Sequence, residues 1–196
     1  MRRPILKTRI ILTGARRAFT LMLFVILTMQ GAIARAELRV DITSGKIEPL
    51  PIAVPALFGT DTQSEGLGRD IAGVVAADLE RSGLFWLIDR RAFIQKRASL
   101  RLRPQFPAWR QINAQALVVG SAEIRPNGRL RVEFRLWDVF AGQQLVGLRS
   151  ETEPRNWRRI AHIIADAIYK RVTGEDGYFD TRVVYVAETG PAKRRI

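Results

Sequence analysis

The chain has 196 residues, 47% of them apolar, and 32 Lys and Arg against 19 Asp and Glu, for a formal charge of +13. The apolar share excludes a wholly disordered chain. Zero Cys excludes a disulfide scaffold, a thiol enzyme and a Cys-based zinc site, and a single His excludes a multi-His metal site within one chain.

So basic a balance invites a polyanion partner. The distribution of charge answers otherwise. All 19 acids lie at or after Glu37, and seven of the bases precede it. Beyond residue 36, 25 bases face 19 acids and the balance is +6.

Residues 1–17 hold six bases and no acid. Ala18–Met29 is a twelve-residue apolar run, and the following QGAIARA ends in Ala34-Arg35-Ala36. A basic start, an apolar middle and an A-x-A end form the secretory signal pattern. The run is short of the roughly 20 residues that span a bilayer, which argues against the other reading, a membrane anchor. Arg16-Arg17-Ala18-Phe19 resembles only a fragment of a twin-arginine signal. Cleavage is expected between Ala36 and Glu37, in reach of Ala34, with the mature chain in an oxidising space. Its 160 residues suit one domain.

Leu38, Val40 and Ile42 alternate with Arg39, Asp41 and Thr43, a period of two that predicts a short strand ending at Ser44-Gly45. Prolines 49, 51 and 55 make the next stretch linker or edge strand, because proline cannot donate to a ladder. Ile52–Phe58 is expected as a strand starting after Pro51. Gly59–Gly68 reads as a polar loop. A helix follows, with Leu67, Ile71, Val74, Val75, Asp78 and Leu79 on one stripe and a stop at Ser82-Gly83. Phe85–Ile88 fits a buried strand.

Arg90–Arg110 carries seven bases and no acid, with Pro107 placed to open a short helix through Asn113. Ala116–Ile124 reads as a strand. Pro126-Asn127-Gly128 is expected as a hairpin turn with positive φ at Asn-Gly. Leu130, Val132, Phe134 and Leu136 alternate with charged residues in a second strand, and Gln144–Ser150 returns as a third after Ala141-Gly142. Asn156 is placed to cap a helix whose apolar face is Trp157, Ile160, Ile164, Ala167, Ile168 and Val172, with a stop at Thr173-Gly174. This order predicts an α/β fold, helices packed on a mixed sheet. Val183–Val186 reads as a further strand, either the entry to a second, β-rich domain or a return to the first sheet.

Catalytic constellations are sparse. His162 and Asp166, one turn apart, have the shape of base and orienter, but no nucleophile motif accompanies them and a solvated surface histidine explains them as well. Gly66-Leu67-Gly68 before a helix lacks the Gly-Lys-Ser/Thr ending of a phosphate loop. Glu175-Asp176-Gly177 is too short to chelate calcium. No catalytic residue, metal or cofactor is expected, nor a small-molecule substrate. The basic 90–110 stretch is either a solvated face or a contact for an anionic partner, and secretion argues against nucleic acid. Among the four tryptophans, Trp109 lies between arginines and is expected to be exposed. The mature N-terminus is the best binding element: a strand held off its domain by prolines can pair with a foreign sheet edge, Leu38, Val40 and Ile42 giving specificity. Docking within its own sheet is the alternative.

The signal, Glu37–Gly45, Ile52–Phe58, the pair Ile71–Ile88, the Trp137-Asp138 strand and the exit Tyr178-Phe179-Asp180-Thr181-Arg182-Val183-Val184-Tyr185-Val186 together resemble the amino-terminal part of the TolB family of the Tol–Pal system. The resemblance implies an α/β domain followed by a six-bladed β-propeller. It divides the chain into a signal (1–36), a partner-binding extension (37–50), an α/β domain (51–175) and the start of a truncated propeller (176–196). It implies a non-enzymatic periplasmic protein that links the inner-membrane TolA to the outer-membrane lipoprotein Pal. Such a protein supports outer-membrane integrity and constriction in cell division, and is exploited in colicin uptake. By the same matching, Leu38, Arg39, Val40, Asp41, Ile42, Thr43 and Ser44 are offered to the TolA carboxy-terminal domain. Pal would be met by the propeller, absent here beyond its first strand. The competing expectation is a stand-alone periplasmic adaptor using the α/β domain as its contact surface.

Overall fold

The computed structural model describes residues 48–102, 104–181, 187–188 and 194–195. The expected signal, the Leu38–Ile42 strand and the Val183–Val186 strand lie outside these residues.

A five-stranded mixed sheet organises the domain, in the order β2-β1-β3-β4-β5. Its strands are β1 (Leu50–Ala53), β2 (Phe85–Leu87), β3 (Ala116–Ile124), β4 (Leu130–Asp138) and β5 (Gln143–Thr152). β1 runs parallel to both neighbours, and β3, β4 and β5 form an antiparallel meander. The helices are α1 (Thr62–Arg81), α2 (Arg97–Leu102), α3 (Phe106–Gln111) and α4 (Trp157–Thr173). A two-residue ladder pairs β6 (Ala187–Glu188) with β7 (Arg194–Arg195). The predicted class, helices on a mixed sheet, is the one observed.

The alternation read in the sequence decides which face is which. Leu130, Val132, Phe134 and Leu136 of β4 and Ala116, Val118 and Ala122 of β3 are buried toward α1 and α4. α1 contributes Ile71, Ala72, Val75 and Leu79, and α4 contributes Ile160, Ile164, Ile168 and Val172. The opposite face carries a second, smaller core of Ala53, Leu100, Trp109, Ala114, Leu117 and Val139. The basic stretch supplies its cover. The described residues of 90–113 are therefore a layer of the fold, with Leu100 and Trp109 turned to the sheet and Arg90, Arg91, Lys96 and Arg101 exposed.

Several expectations change at this level. β1 begins at Leu50, contains Pro51 and ends at Ala53, so the expected Ile52–Phe58 strand is shifted. Phe58 keeps one parallel bridge, to Ser121. A proline fits this central strand because the side on which its N–H is missing faces β3 before β3 has begun: pairing starts at Ile52 with Ala116. The Pro51 carbonyl still accepts from Gln115 N at 2.9 Å. α1 starts at Thr62, so much of the expected loop is helix. Asp61 caps it, accepting from Ser64 N at 2.9 Å and from the Ser64 hydroxyl at 2.8 Å. Gly68 lies inside that helix because the chain passes close by: a Cβ there would stand 2.4 Å from the Leu57 carbonyl oxygen. β2 is an edge strand rather than a buried one, and Trp86 on it is 68% exposed.

The hairpin turn is also of another type. Gly128 N donates to the Arg125 carbonyl at 2.8 Å, and Gly128 alone has positive φ, at 76°. Pro126-Asn127 is thus the middle of an ordinary turn followed by a left-handed glycine, the three-residue hairpin loop. The Asn156 side chain makes no cap bond to α4 and reaches back to Thr152 Oγ1 at 3.2 Å. A single 3-10 turn, Pro154–Asn156, leads into the helix instead. The stops at Ser82-Gly83 and Thr173-Gly174 are as expected, with Gly83 and Gly174 at φ 73° and 83°.

Candidate functional site

The residues expected to bind a partner, Leu38, Arg39, Val40, Asp41, Ile42, Thr43 and Ser44, lie outside the described residues, as do Ala34, Ala36 and Glu37. What is described is the root of that segment. Glu48 is exposed and Leu50 buried, so the chain passes from solvent into the sheet within two residues. Leu50 N donates to the Leu84 carbonyl at 2.9 Å and Ile52 accepts from Ile88 N at 3.0 Å. A strand between two others therefore holds the root, and tension on the segment would load backbone hydrogen bonds inside the sheet.

Among the other residues singled out in the sequence, His162 and Trp109 differ from expectation. His162 is not a solvated surface residue, nor is it paired with Asp166. Its Nδ1 lies 2.6 Å from Oδ2 of Asp78, a carboxylate only 1% exposed on α1. The other Asp78 oxygen accepts from Arg81 at 3.0 Å. The pair ties α1 to α4 across the main core. The clue was in the sequence: Asp78 stands on an apolar stripe, and a carboxylate buried there needs a partner. Asp166 instead accepts from the backbone N–H groups of Phe179 and Asp180, at 2.8 and 3.1 Å. It folds the segment after α4 back onto the helix, where Tyr178 and Phe179 pack edge-on against Tyr169.

Gly66 and Gly68 are helical, so no glycine loop exists there to cradle a phosphate. Trp109, expected to be exposed, is 1% exposed and is the largest fully buried side chain among the described residues. Its indole N–H donates to Gln95 Oε1 at 2.8 Å, and its ring meets Phe93 edge-on at 5.1 Å. Within the basic stretch, Arg97 bonds the Leu57 carbonyl at 2.9 Å and Glu65 at 3.3 Å. Arg110 bonds the carbonyls of Val139 and Phe140, both at 3.1 Å. These cations hold loops together. Arg91 clasps Asp89, whose carboxyl is lowered to about 2, first by the Arg91 side chain and then by its backbone N–H. Glu175-Asp176-Gly177 is no chelating loop either: Asp176 accepts from Lys170 at 2.6 Å, and that bond lowers its carboxyl and raises the lysine. Among the described residues no helix is long and apolar enough to cross a membrane.

Residues 38–145 match the family model of the TolB amino-terminal domain. The chain belongs to the TolB family. It is 54% identical over 173 residues to the Tol-Pal system protein TolB of Paramagnetospirillum magneticum, an alignment covering 88% of this chain and 39% of that relative. The crystal structure of TolB from Acinetobacter baumannii shares the fold, with a TM-score of 0.59 at 23% identity, over 76% of this chain and 35% of that one. The chain thus spans about two-fifths of the TolB length it matches. The family match opens at Leu38, the first apolar residue of the expected N-terminal strand.

Proposed function

We propose that the chain acts as a non-enzymatic periplasmic component of the Tol–Pal system, binding the TolA carboxy-terminal domain through residues 38–44. The observation that carries this reading is the family match, which starts inside the alternating segment and runs through the sheet that anchors it. The physical argument is β-strand addition: an extended segment lends backbone N–H and C=O groups to a partner's open sheet edge, and alternate side chains supply specificity. Leu38, Val40 and Ile42 would face the partner's core, with Arg39, Asp41 and Thr43 outward. Pro49 and Pro51 stiffen the exit, and the hydrogen-bonded β1 gives the segment a firm base.

In this reading residues 1–36 are a signal removed after Ala36, 37–50 are the extension, 51–175 are the α/β carrier, and 176–196 lead toward a propeller. Contact with Pal belongs to that propeller. Together the contacts would join inner-membrane TolA to outer-membrane Pal, support envelope integrity and constriction at division, and provide the route colicins exploit. The direct test is calorimetry with a TolA carboxy-terminal domain. Deleting residues 37–45 should abolish binding while circular dichroism stays unchanged. Unchanged affinity would defeat the proposal and favour the α/β surface as the contact.

A further inference from the structure

The second cover does not reach the whole of its sheet face. Where α2 ends, a groove of about 250 Å³ is left, floored by β3 and β4 and closed on one side by the Phe58–Thr60 loop. Cross-strand register places Val119 opposite Arg135 and Ser121 opposite Glu133 in this floor. Arg101 of α2 lines the same groove.

The charges here are unevenly satisfied. Glu133 is paired with Arg149 at 2.7 Å, and Glu123 with Arg125 at 3.2 Å. Both carboxylates lining the groove therefore have their cations. Arg101 and Arg135 have no ion pair or hydrogen bond among the described residues, and the Ser121 hydroxyl has no partner there either. Two arginines without an ion pair and a free hydroxyl thus line one concavity, beside the apolar Phe58 and Val119. Guanidinium groups prefer planar oxyanions, which they bind through paired N–H donors. The apolar walls add a demand for an apolar body next to the anion.

We propose that this groove binds a carboxylate carrying a compact apolar body, the chemistry shared by the last residue of a peptide and by a free aryl or alkyl acid. Arg101 and Arg135 hold the carboxylate, Ser121 donates to it, and Phe58 and Val119 cover the apolar part. The paired Glu123 and Glu133 disfavour a multiply charged anion such as phosphate.

The test is nuclear magnetic resonance of the full chain, titrated with N-acetyl-phenylalanine as peptide end, 3-phenylpropionate as free acid, N-acetyl-phenylalaninamide as uncharged control, and inorganic phosphate. The expected result is saturable movement of the Val119, Ser121 and Arg135 amides with at least one of the two carboxylates. Whichever carboxylate binds more tightly identifies the source. The amide and phosphate should bind at least about tenfold more weakly. Arg101→Gln and Arg135→Gln, both exposed positions, should each weaken the carboxylate by about tenfold with the remaining spectrum unchanged. No saturable movement with either carboxylate would overturn the proposal. So would equal binding of the amide or of phosphate, or arginine variants that bind like the parent.

Discussion

Trp109→Ala tests whether the basic stretch is a packed layer or a solvated loop. The side chain is fully buried between Ala53, Leu100, Ala114, Leu117 and Val139. Truncation removes the indole and leaves a cavity against β3, which for a buried tryptophan costs about 3–5 kcal/mol. Trp109→Phe separates packing from hydrogen bonding. It keeps a ring in the site and deletes the N–H that reaches Gln95 at 2.8 Å, while Gln95 Oε1 retains the backbone N–H of Gln105, also at 2.8 Å. A lost neutral hydrogen bond and a smaller ring together cost about 1–2 kcal/mol. The assay is equilibrium urea unfolding followed by far-ultraviolet circular dichroism, with slopes compared to verify that both variants unfold as the parent does. A Trp109→Ala cost under about 1 kcal/mol would refute the reasoning, because an exposed aromatic loses only that much. Equal costs for the two variants would refute the assigned hydrogen bond and cavity.

Gly68→Ala should destabilise by about 1–3 kcal/mol, since the new Cβ meets a backbone oxygen that cannot rotate away; Gly73→Ala, with open space around it, should be neutral or stabilising in the same thermal melt. His162→Ala should cost about 1–3 kcal/mol by leaving one oxygen of buried Asp78 unpaired, and amide hydrogen exchange in α1 and α4 should rise together. The Asp61 carboxyl lies below its ordinary 3.8, held there first by the backbone N–H of Ser64 and then by its hydroxyl. A depressed folded value means the contribution is present above 3.8 and disappears as the pH falls through the folded value. Asp61→Ala should therefore lower Tm at neutral pH, and the gap from the parent should narrow below about pH 4; a gap that widens with acid would contradict the cap.

Much of the fold was legible because two periodicities were clean. β4 alternates Leu130, Val132, Phe134 and Leu136 without interruption, and α4 keeps its apolar face from Trp157 to Val172, so each element specifies its own buried side. The misses share a cause, in that their reason is tertiary. Gly66 and Gly68 read as loop because glycine weakens a helix in isolation, while here close packing against Leu57 requires Gly68. Pro51 read as linker or edge strand, yet it sits in the central β1 because the register of β3 leaves its side of the ladder open. Trp109 read as exposed because its neighbours in sequence are charged; the short helix α3 turns that single side chain inward. The partner for Asp78 lay 84 residues away, on a helix whose face could be read but whose register against α1 could not.

Residues 37–45 are the proposed contact with TolA. The decisive measurement is calorimetric titration of a TolA carboxy-terminal domain with the synthetic nonapeptide Glu37–Gly45, beside the chain lacking those residues. The expected result is that the peptide binds within about tenfold of the full chain, a difference of about 1.4 kcal/mol, and that the shortened chain gives no heat. A silent peptide together with undiminished binding by the shortened chain would contradict it, and would move the contact to the α/β surface.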